Sequence, residues 1–169
     1  MQLQPAGKTA RDREERDTRS ILEALRWIVR ELRLTARAAE RRHGVSAAQI
    51  FVLHLLGREG AMSVNELAER TFTHQSSVSV VVARLADAGL VARGRAEDDR
   101  RRTDVALTAK GRALLRRVPE PAQARLLAAL ARIPARQREA LSQGLAALVH
   151  EMGIARGAAG MFFEDGARA

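Results

Sequence analysis

Hydrophobic residues recur at helical spacing along most of the chain, which predicts a mainly α-helical protein. Four of them, spaced i, i+4, i+7 and i+11, mark one face of a helix over residues 17–42: Ile21, Leu25, Ile28 and Leu32. Further helices are predicted over residues 46–56, 63–70, 74–88, 109–130 and 134–152. Residues 1–17 lack an apolar stripe and are expected to form a flexible, partly helical charged arm. Residues 154–169 are expected to form a loose tail.

Polar residues mark where two of these helices begin. Ser46 with Gln49, and Ser63 with Glu66, have the spacing of a capping box, in which the side chains satisfy backbone N–H groups of the first turn. Two prolines near residue 120 are expected to kink or interrupt the helix over 109–130.

A short β-hairpin is predicted between the helices over 74–88 and 109–130. Residues 90–93 and 103–107 alternate apolar with polar side chains and flank a highly charged segment. The sequence therefore predicts two strands whose connecting tip carries Asp98, Asp99, Arg100 and Arg101.

Two helices carry more apolar surface than one small domain needs to bury. Trp27 and Leu34 lie on a different side of the first helix from its main stripe, so that helix needs a second cover. We therefore expect a helical dimerisation region, residues 18–45 and 112–153, in which a second copy of the chain is the partner. The last helix contributes its own stripe to the expected dimer interface: Leu141, Leu145 and Leu148.

The charge of the chain points to a polyanionic partner. Lys and Arg number 29 against 20 Asp and Glu, giving a formal net charge of +9. Nucleic acid is the first candidate for such a partner. The chain has no cysteine, which excludes disulfides, thiol nucleophiles and Cys-ligated zinc. It has no apolar run of membrane-spanning length and no signal segment, so we expect a cytoplasmic, nucleoid-associated protein with no membrane contact.

The order of helices and hairpin is that of a winged helix-turn-helix DNA-binding domain, predicted over residues 46–111. The predicted helix over residues 74–88 has the width of the major groove of DNA, and its polar first turn would face the base edges. The arginines of the hairpin would reach the minor groove or the phosphates. The candidate recognition residues are His74, Gln75, Ser76, Ser77 and Ser79, and the candidate wing residues are Arg93, Arg95, Arg100, Arg101 and Arg102.

The segment from residue 63 to residue 111 resembles the winged-helix core of the multiple-antibiotic-resistance regulator (MarR) family. In that family an aspartate-arginine wing tip is followed by an LT-x-x-G helix start, which here is Asp99-Arg100-Arg101 and then Leu107-Thr108 with Gly111. The preceding R-L-x-x-x-G-L-V piece corresponds to Arg84-Leu85 and Gly89-Leu90-Val91. The order of helices extends the resemblance to most of residues 18–153.

This resemblance implies a homodimer, built by the first and last helices, that binds near-palindromic double-stranded DNA and mostly represses. It also implies that a small aromatic or anionic effector releases many such proteins from DNA. Arg100 and Arg101 would be the wing-tip arginines, and Asp99 would brace the wing, with Arg84 as a partner, rather than touch DNA. Oxidant sensing through a cysteine, which some relatives use, is excluded because cysteine is absent.

Several residues have two interpretations. Trp27, Arg30, Phe51 and His54 are candidates for an effector pocket. Packing in the interface or core is nevertheless the favoured interpretation of Trp27, and a satisfied structural histidine that of His54. The four histidines lack metal-ligand spacing, so we expect no metal. No catalytic triad, phosphate-binding glycine loop or paired carboxylates has a credible context, so we expect no cofactor and no enzymatic activity.

Three classes of function remain open at this point. The first is a sequence-specific, ligand-responsive transcriptional regulator. The second is a non-specific architectural DNA-binding protein, for which the basic charge would suffice. The third is a dimeric interaction module without DNA binding, against which Gln75 and the wing arginines argue.

Overall fold

The computed structural model describes residues 6–95, 103–154 and 161–162, and the fold within these ranges is mainly helical. It has the expected helices with a small antiparallel sheet. The elements in chain order are α1 (Ala6–His43), α2 (Ala47–Glu59), β1 (Met62–Ser63), α3 (Val64–Thr71), α4 (Gln75–Asp87), β2 (Val91–Arg95), β3 (Thr103–Leu107), α5 (Ala109–Leu115), α6 (Ala122–Arg132) and α7 (Ala135–Glu151).

The chain forms two compact units, Met1–Leu34 and Thr35–Ala169. The described part of the first unit is helical throughout, so α1 begins at Ala6 instead of near Asp17. The charged segment before residue 17 supports a helix because its charges are spaced one turn apart. Arg11 Nε lies 3.3 Å from Glu15 Oε1, and Arg16 Nε donates to the Asp12 carbonyl oxygen at 3.0 Å.

The hydrophobic core lies in the second unit and is aliphatic. Helix α2 is apolar on nearly every side, and Val52 and Leu53 are fully buried. Both predicted capping boxes are present, at Ser46 with Gln49 and at Ser63 with Glu66. The described tail residue Met161 also belongs to this core, at 4% exposure.

The sheet has three strands, in the order β1–β3–β2, where the sequence predicted only two. Strand β1 is two residues long and pairs Met62 with Val105 and Ser63 with Asp104. Its second residue, Ser63, is also the cap of α3. A strand this short has no alternation to detect, and the capping signal masks it.

One helix end differs from the prediction, and one predicted interruption of a helix is confirmed. Helix α2 continues through Gly57 to Glu59, and a side chain at Gly57 would collide with that of Leu115. The predicted helix over 109–130 is interrupted between Leu115 and Ala122, as its two prolines indicated.

No helix among the described residues is long and apolar enough to cross a membrane.

His54 on α2 is less well satisfied than the sequence suggested. Its Nε2 atom is buried and has no hydrogen-bond partner within the described ranges, whereas the backbone of Val118 and Pro119 provides hydrogen bonds to the ring, so the expected satisfied structural histidine is only partly realised. Burial lowers the pKa of His54 below its ordinary 6.5, although the carbonyl groups of Val118 and Pro119 act in the opposite direction. The folded state therefore favours the neutral imidazole.

His54 should make the stability of the fold pH-dependent. Because the pKa of His54 is lower in the folded state, the unfolded chain binds a proton at His54 more tightly than the folded chain does. The contribution of neutral His54 to stability is therefore present above its ordinary pKa of 6.5 and is lost as the pH falls below that value. We expect the free energy of unfolding in urea to decrease between about pH 7 and about pH 5, and to decrease less in His54→Gln. Equal slopes in the two proteins would contradict this role for His54.

Candidate nucleic-acid interface

Helix α4 is divided into a buried face and an exposed face. Val78, Val81, Val82 and Leu85 recur at i, i+3, i+4 and i+7 and are all 0% exposed. They belong to the core cluster that also holds the apolar residues of α2 and α3. This packing fixes the helix in position and leaves the opposite face open along its whole length.

The turn between α3 and α4 is tightly built. The N–H of Thr73 donates to the carbonyl oxygen of Ala68 at 3.1 Å and that of Phe72 to Glu69 at 3.2 Å, the hydrogen-bond pattern of a Schellman motif. The hydroxyl groups of Thr71 and Thr73 lie 2.6 Å apart, and Thr71 is 3% exposed. Phe72 occupies the left-handed position of the motif, with φ 53° and ψ 40°.

The first turn of α4 is exposed and carries no side-chain cap. His74 is its N-cap residue but makes no capping hydrogen bond, whereas α2, α3 and α5 are capped by Ser46, Ser63 and Thr108. The backbone N–H groups of the α4 first turn therefore have no side-chain cap, and the side chains of Gln75 and Ser76 in that turn are exposed. Such a turn can bind phosphate oxygens and base edges at once.

The remaining recognition candidates lie around the same end of the helix. Ser77 and Ser79 are half-buried, so they are less available than Gln75 and Ser76. Val80 is 43% exposed on the open face, and Ala83 beside it is exposed as well. The sequence does not identify Val80 as a surface residue, because a valine in a helix is assigned to the core unless the exposed face of that helix is known.

The hairpin predicted as the wing is formed by β2 and β3. Val91 pairs with Leu107 and Arg93 with Val105, and the Arg93 side chain is exposed. Arg95 ends β2 and pairs with Thr103, but its side chain, like Asp98, Asp99, Arg100, Arg101 and Arg102, lies outside the described residues. Arg84, the candidate for bracing the wing, is exposed on α4 and has an interaction partner.

The LT-x-x-G segment joins the end of α4 to the beginning of α5. The Thr108 hydroxyl donates to the Gly89 carbonyl oxygen at 2.8 Å and accepts from the N–H of Gly111 at 3.0 Å. A side chain at Gly111 would collide with the carbonyl oxygen of Leu90. The hairpin therefore leaves α4 in a fixed direction, which sets the spacing between α4 and the hairpin.

Both predicted dimerisation surfaces are exposed in the single chain. On α1, Trp27 is 65% and Leu34 51% exposed. Helix α7 has no buried residue, although it is 17 residues long. Its apolar stripe stands open to solvent at Leu141 (41%), Leu145 (43%), Leu148 (39%) and Met152 (64%).

The four effector-pocket candidates fall in different environments. Trp27 and Arg30 belong to the first unit, where the Arg30 guanidinium carbon lies 5.4 Å from the centre of the Trp27 ring. Phe51 is 2% exposed within the core of the second unit, and His54 is half-buried.

A cavity of about 90 Å³ opens elsewhere in the second unit. Its walls are mostly apolar, from the end of α1, the beginning of α2 and the link between α5 and α6. Its charged or titratable lining residues are Arg42, His43 and Glu120. Within the described ranges, no group of three or more His, Asp or Glu residues is placed to hold a metal ion.

Comparison with known proteins places this geometry among transcriptional regulators. A model of the MarR family matches residues 43–102. The chain is 40% identical over 70 residues to the HTH-type transcriptional repressor MdtR of Bacillus subtilis, a stretch that covers 41% of this chain and 45% of that protein. The chain therefore matches less than half the length of this curated relative.

Two solved structures share the fold over most of the chain. A MarR family protein from Bacillus stearothermophilus is 27% identical, with a TM-score of 0.53 and coverage of 82% of this chain and 97% of that one. A structure describing regulation of DNA binding of Bordetella bronchiseptica BpsR by 6-hydroxynicotinic acid is 26% identical, with a TM-score of 0.52 and coverage of 79% and 93%.

Proposed function

Since the chain belongs to the MarR family, we propose that it is a homodimeric, sequence-specific DNA-binding regulator that represses transcription from a near-palindromic operator. The observation that carries this proposal is the division of α4. One face is locked in the core, and the uncapped first turn and the opposite face are open. That arrangement leaves a rigid polar surface of the right width for a major groove.

Each exposed group on this surface has a matching DNA group. The Gln75 amide can bond adenine N6 and N7 as a bidentate pair, and Ser76 can donate to or accept from several bases. Val80 offers an apolar contact to a thymine methyl group. The free N–H groups of the first turn suit a phosphate, whose charge the helix dipole also favours.

The hairpin supplies affinity in this proposal. Arg93 is exposed on β2, and Arg95, Arg100, Arg101 and Arg102 follow it in the sequence. Arginines at this position would neutralise phosphates or enter a narrow minor groove, and the protein's net charge of +9 favours the encounter.

We expect α4 to determine which DNA sequence is preferred, and the hairpin to contribute affinity for any sequence. Gln75→Ala should cost roughly 1–3 kcal/mol on a duplex selected from a random library and little on random DNA, because a base contact is lost. Arg93→Ala should weaken both duplexes alike and reduce the slope of log affinity against log salt by about 1, because a phosphate contact is lost. Fluorescence anisotropy at several salt concentrations measures both effects.

The same titrations test the alternative of a non-specific architectural protein, which the basic charge would support. A specific regulator should prefer the selected duplex over random DNA by about a thousandfold or more. A preference near unity for the wild-type protein would favour the architectural alternative. If wild type strongly prefers the selected duplex and Gln75→Ala has the same preference, then Gln75 on α4 does not determine sequence choice.

Dimerisation through α1 and α7 would explain their exposed apolar faces. Helix α7 is 17 residues long and has no buried side chain, so packing against its own chain stabilises it little. A second copy of the chain that packs on Leu141, Leu145 and Leu148 would bury these apolar side chains. Two copies related by a twofold axis would also present two α4 helices to two half-sites.

Charge on the α7 stripe should break this dimer. We expect Leu145→Lys to be monomeric at micromolar concentration in sedimentation velocity, and to bind the selected duplex far more weakly than wild type because one half-site is lost. Gln143→Lys is the matched control, since it adds the same charge on another side of α7, one turn from Glu139. A wild-type protein that sediments as a monomer would contradict the proposal.

An aromatic organic anion is the effector that we propose for this regulator. The cavity lined by Arg42 and His43 offers apolar walls for a ring and a cation for a carboxylate. The related BpsR is regulated by 6-hydroxynicotinic acid, which has this chemistry. Helix α2 lines the cavity and packs against α4, so a ligand there can alter the position of the recognition helix.

An aromatic acid should release the protein from DNA only as far as it binds the state that does not bind DNA more tightly than the state that does. A hundredfold release requires a differential binding free energy of about 2.7 kcal/mol. We expect 6-hydroxynicotinate or salicylate to weaken binding to the selected duplex, and Arg42→Gln to abolish this response while leaving ligand-free DNA binding intact. If neither acid has an effect up to about millimolar concentration, the effector proposal is wrong and the regulator acts constitutively.

A further inference from the structure

Phe72 is unusual in both its exposure and its backbone. Its side chain is 81% exposed, more than any other large hydrophobic residue in the described ranges. It is also the only residue other than glycine with a positive φ there, at 53°. A bulky L-residue in the left-handed region is strained, and glycine or asparagine would occupy it more easily.

The surrounding turn holds Phe72 in this conformation without using its side chain. The two Schellman hydrogen bonds to Ala68 and Glu69 and the paired hydroxyl groups of Thr71 and Thr73 fix the backbone on both sides. The phenyl ring is not part of the core cluster. The turn therefore holds a strained backbone at a side chain that contributes no core packing, a combination that is common at functional sites.

The place of Phe72 in the fold identifies what its ring would meet. It lies two residues before the N-cap of α4 and three before Gln75, on the turn that leads into the open first turn of the helix. A duplex that receives this first turn in its major groove brings the rim of the groove to the turn. The apolar groups available there are thymine methyl groups and deoxyribose carbons.

We propose that Phe72 is a DNA-contact residue whose ring packs on an apolar group of the duplex beside the polar contacts of α4. This inference rests on the proposed function of α4. The strained backbone and the exposed ring are two aspects of one arrangement, in which the turn holds an aromatic side chain outward for a partner that is absent from the free protein.

The proposal predicts opposite effects on stability and on binding. Phe72→Asn should raise the thermal midpoint by about 2–4 °C, because asparagine relieves the left-handed strain. The same change should weaken binding to the selected duplex roughly tenfold, because the apolar contact is lost. Phe72→Tyr keeps the ring and the strain, so both its midpoint and its affinity should stay close to wild type.

Gln75→Ala is the reference variant that separates this inference from the proposed function. If Phe72→Asn binds as wild type while Gln75→Ala is weakened, α4 reads DNA and Phe72 does not contact it. If wild type shows no preference for any selected duplex, the proposed function itself fails. A lower midpoint in Phe72→Asn together with weaker binding would assign Phe72 a structural role and overturn the proposal.

Replacing thymine by uracil in the selected duplex identifies the apolar group. If the ring packs on a methyl group, one uracil per half-site should weaken wild-type binding several-fold and leave Phe72→Asn unaffected. If no uracil distinguishes the two proteins while Phe72→Asn remains weak, the ring packs on deoxyribose. If a given uracil weakens the binding of wild type and of Phe72→Asn by the same factor, another residue contacts that methyl group. Val80→Ala then tests whether that residue is Val80.

Discussion

Burial of one face of α4 is the constraint on which the proposed interface depends. Val78, Val81, Val82 and Leu85 are completely removed from solvent, and together they fix the rotation of the helix about its axis. Full burial of each such side chain stabilises the fold by roughly 1.5–3 kcal/mol, far more than any single exposed polar contact. The polar first turn can therefore remain uncapped and open, because the core, and not the cap, holds the helix in place.

The segments on either side of α4 transmit this fixed orientation. The Schellman turn before the helix sets its N-terminal end, and the Thr108 hydroxyl ties Gly89 to the beginning of α5 after it. The sheet adds the pairing of β3 with both β1 and β2. A helix and a hairpin connected in this way keep a constant separation, as the proposed contact with two neighbouring parts of one duplex requires.

The sequence was sufficient for the elements with strong local signals. The capping boxes at Ser46 and Ser63, the valine stripe of α4 and the LT-x-x-G segment all correspond to observed structure. Strand β1 was missed because its two residues pair only with a distant strand, and the exposure of Val80 and Phe72 depends on which face the tertiary packing covers. Local pattern also overstated the hydrogen bonding of His54, because a histidine's partners come from other elements of the fold.

Hydrogen–deuterium exchange, measured on the full chain with and without the selected duplex, tests the central claim most directly. The account predicts that amides within the buried part of α4 are among the slowest to exchange in the free protein, because they open only on global unfolding. It further predicts that DNA adds protection at the turn and first turn, residues 72–77, and along the hairpin. Rapid exchange throughout α4 in the free protein, or DNA-induced protection confined to α1 or α7, would contradict it.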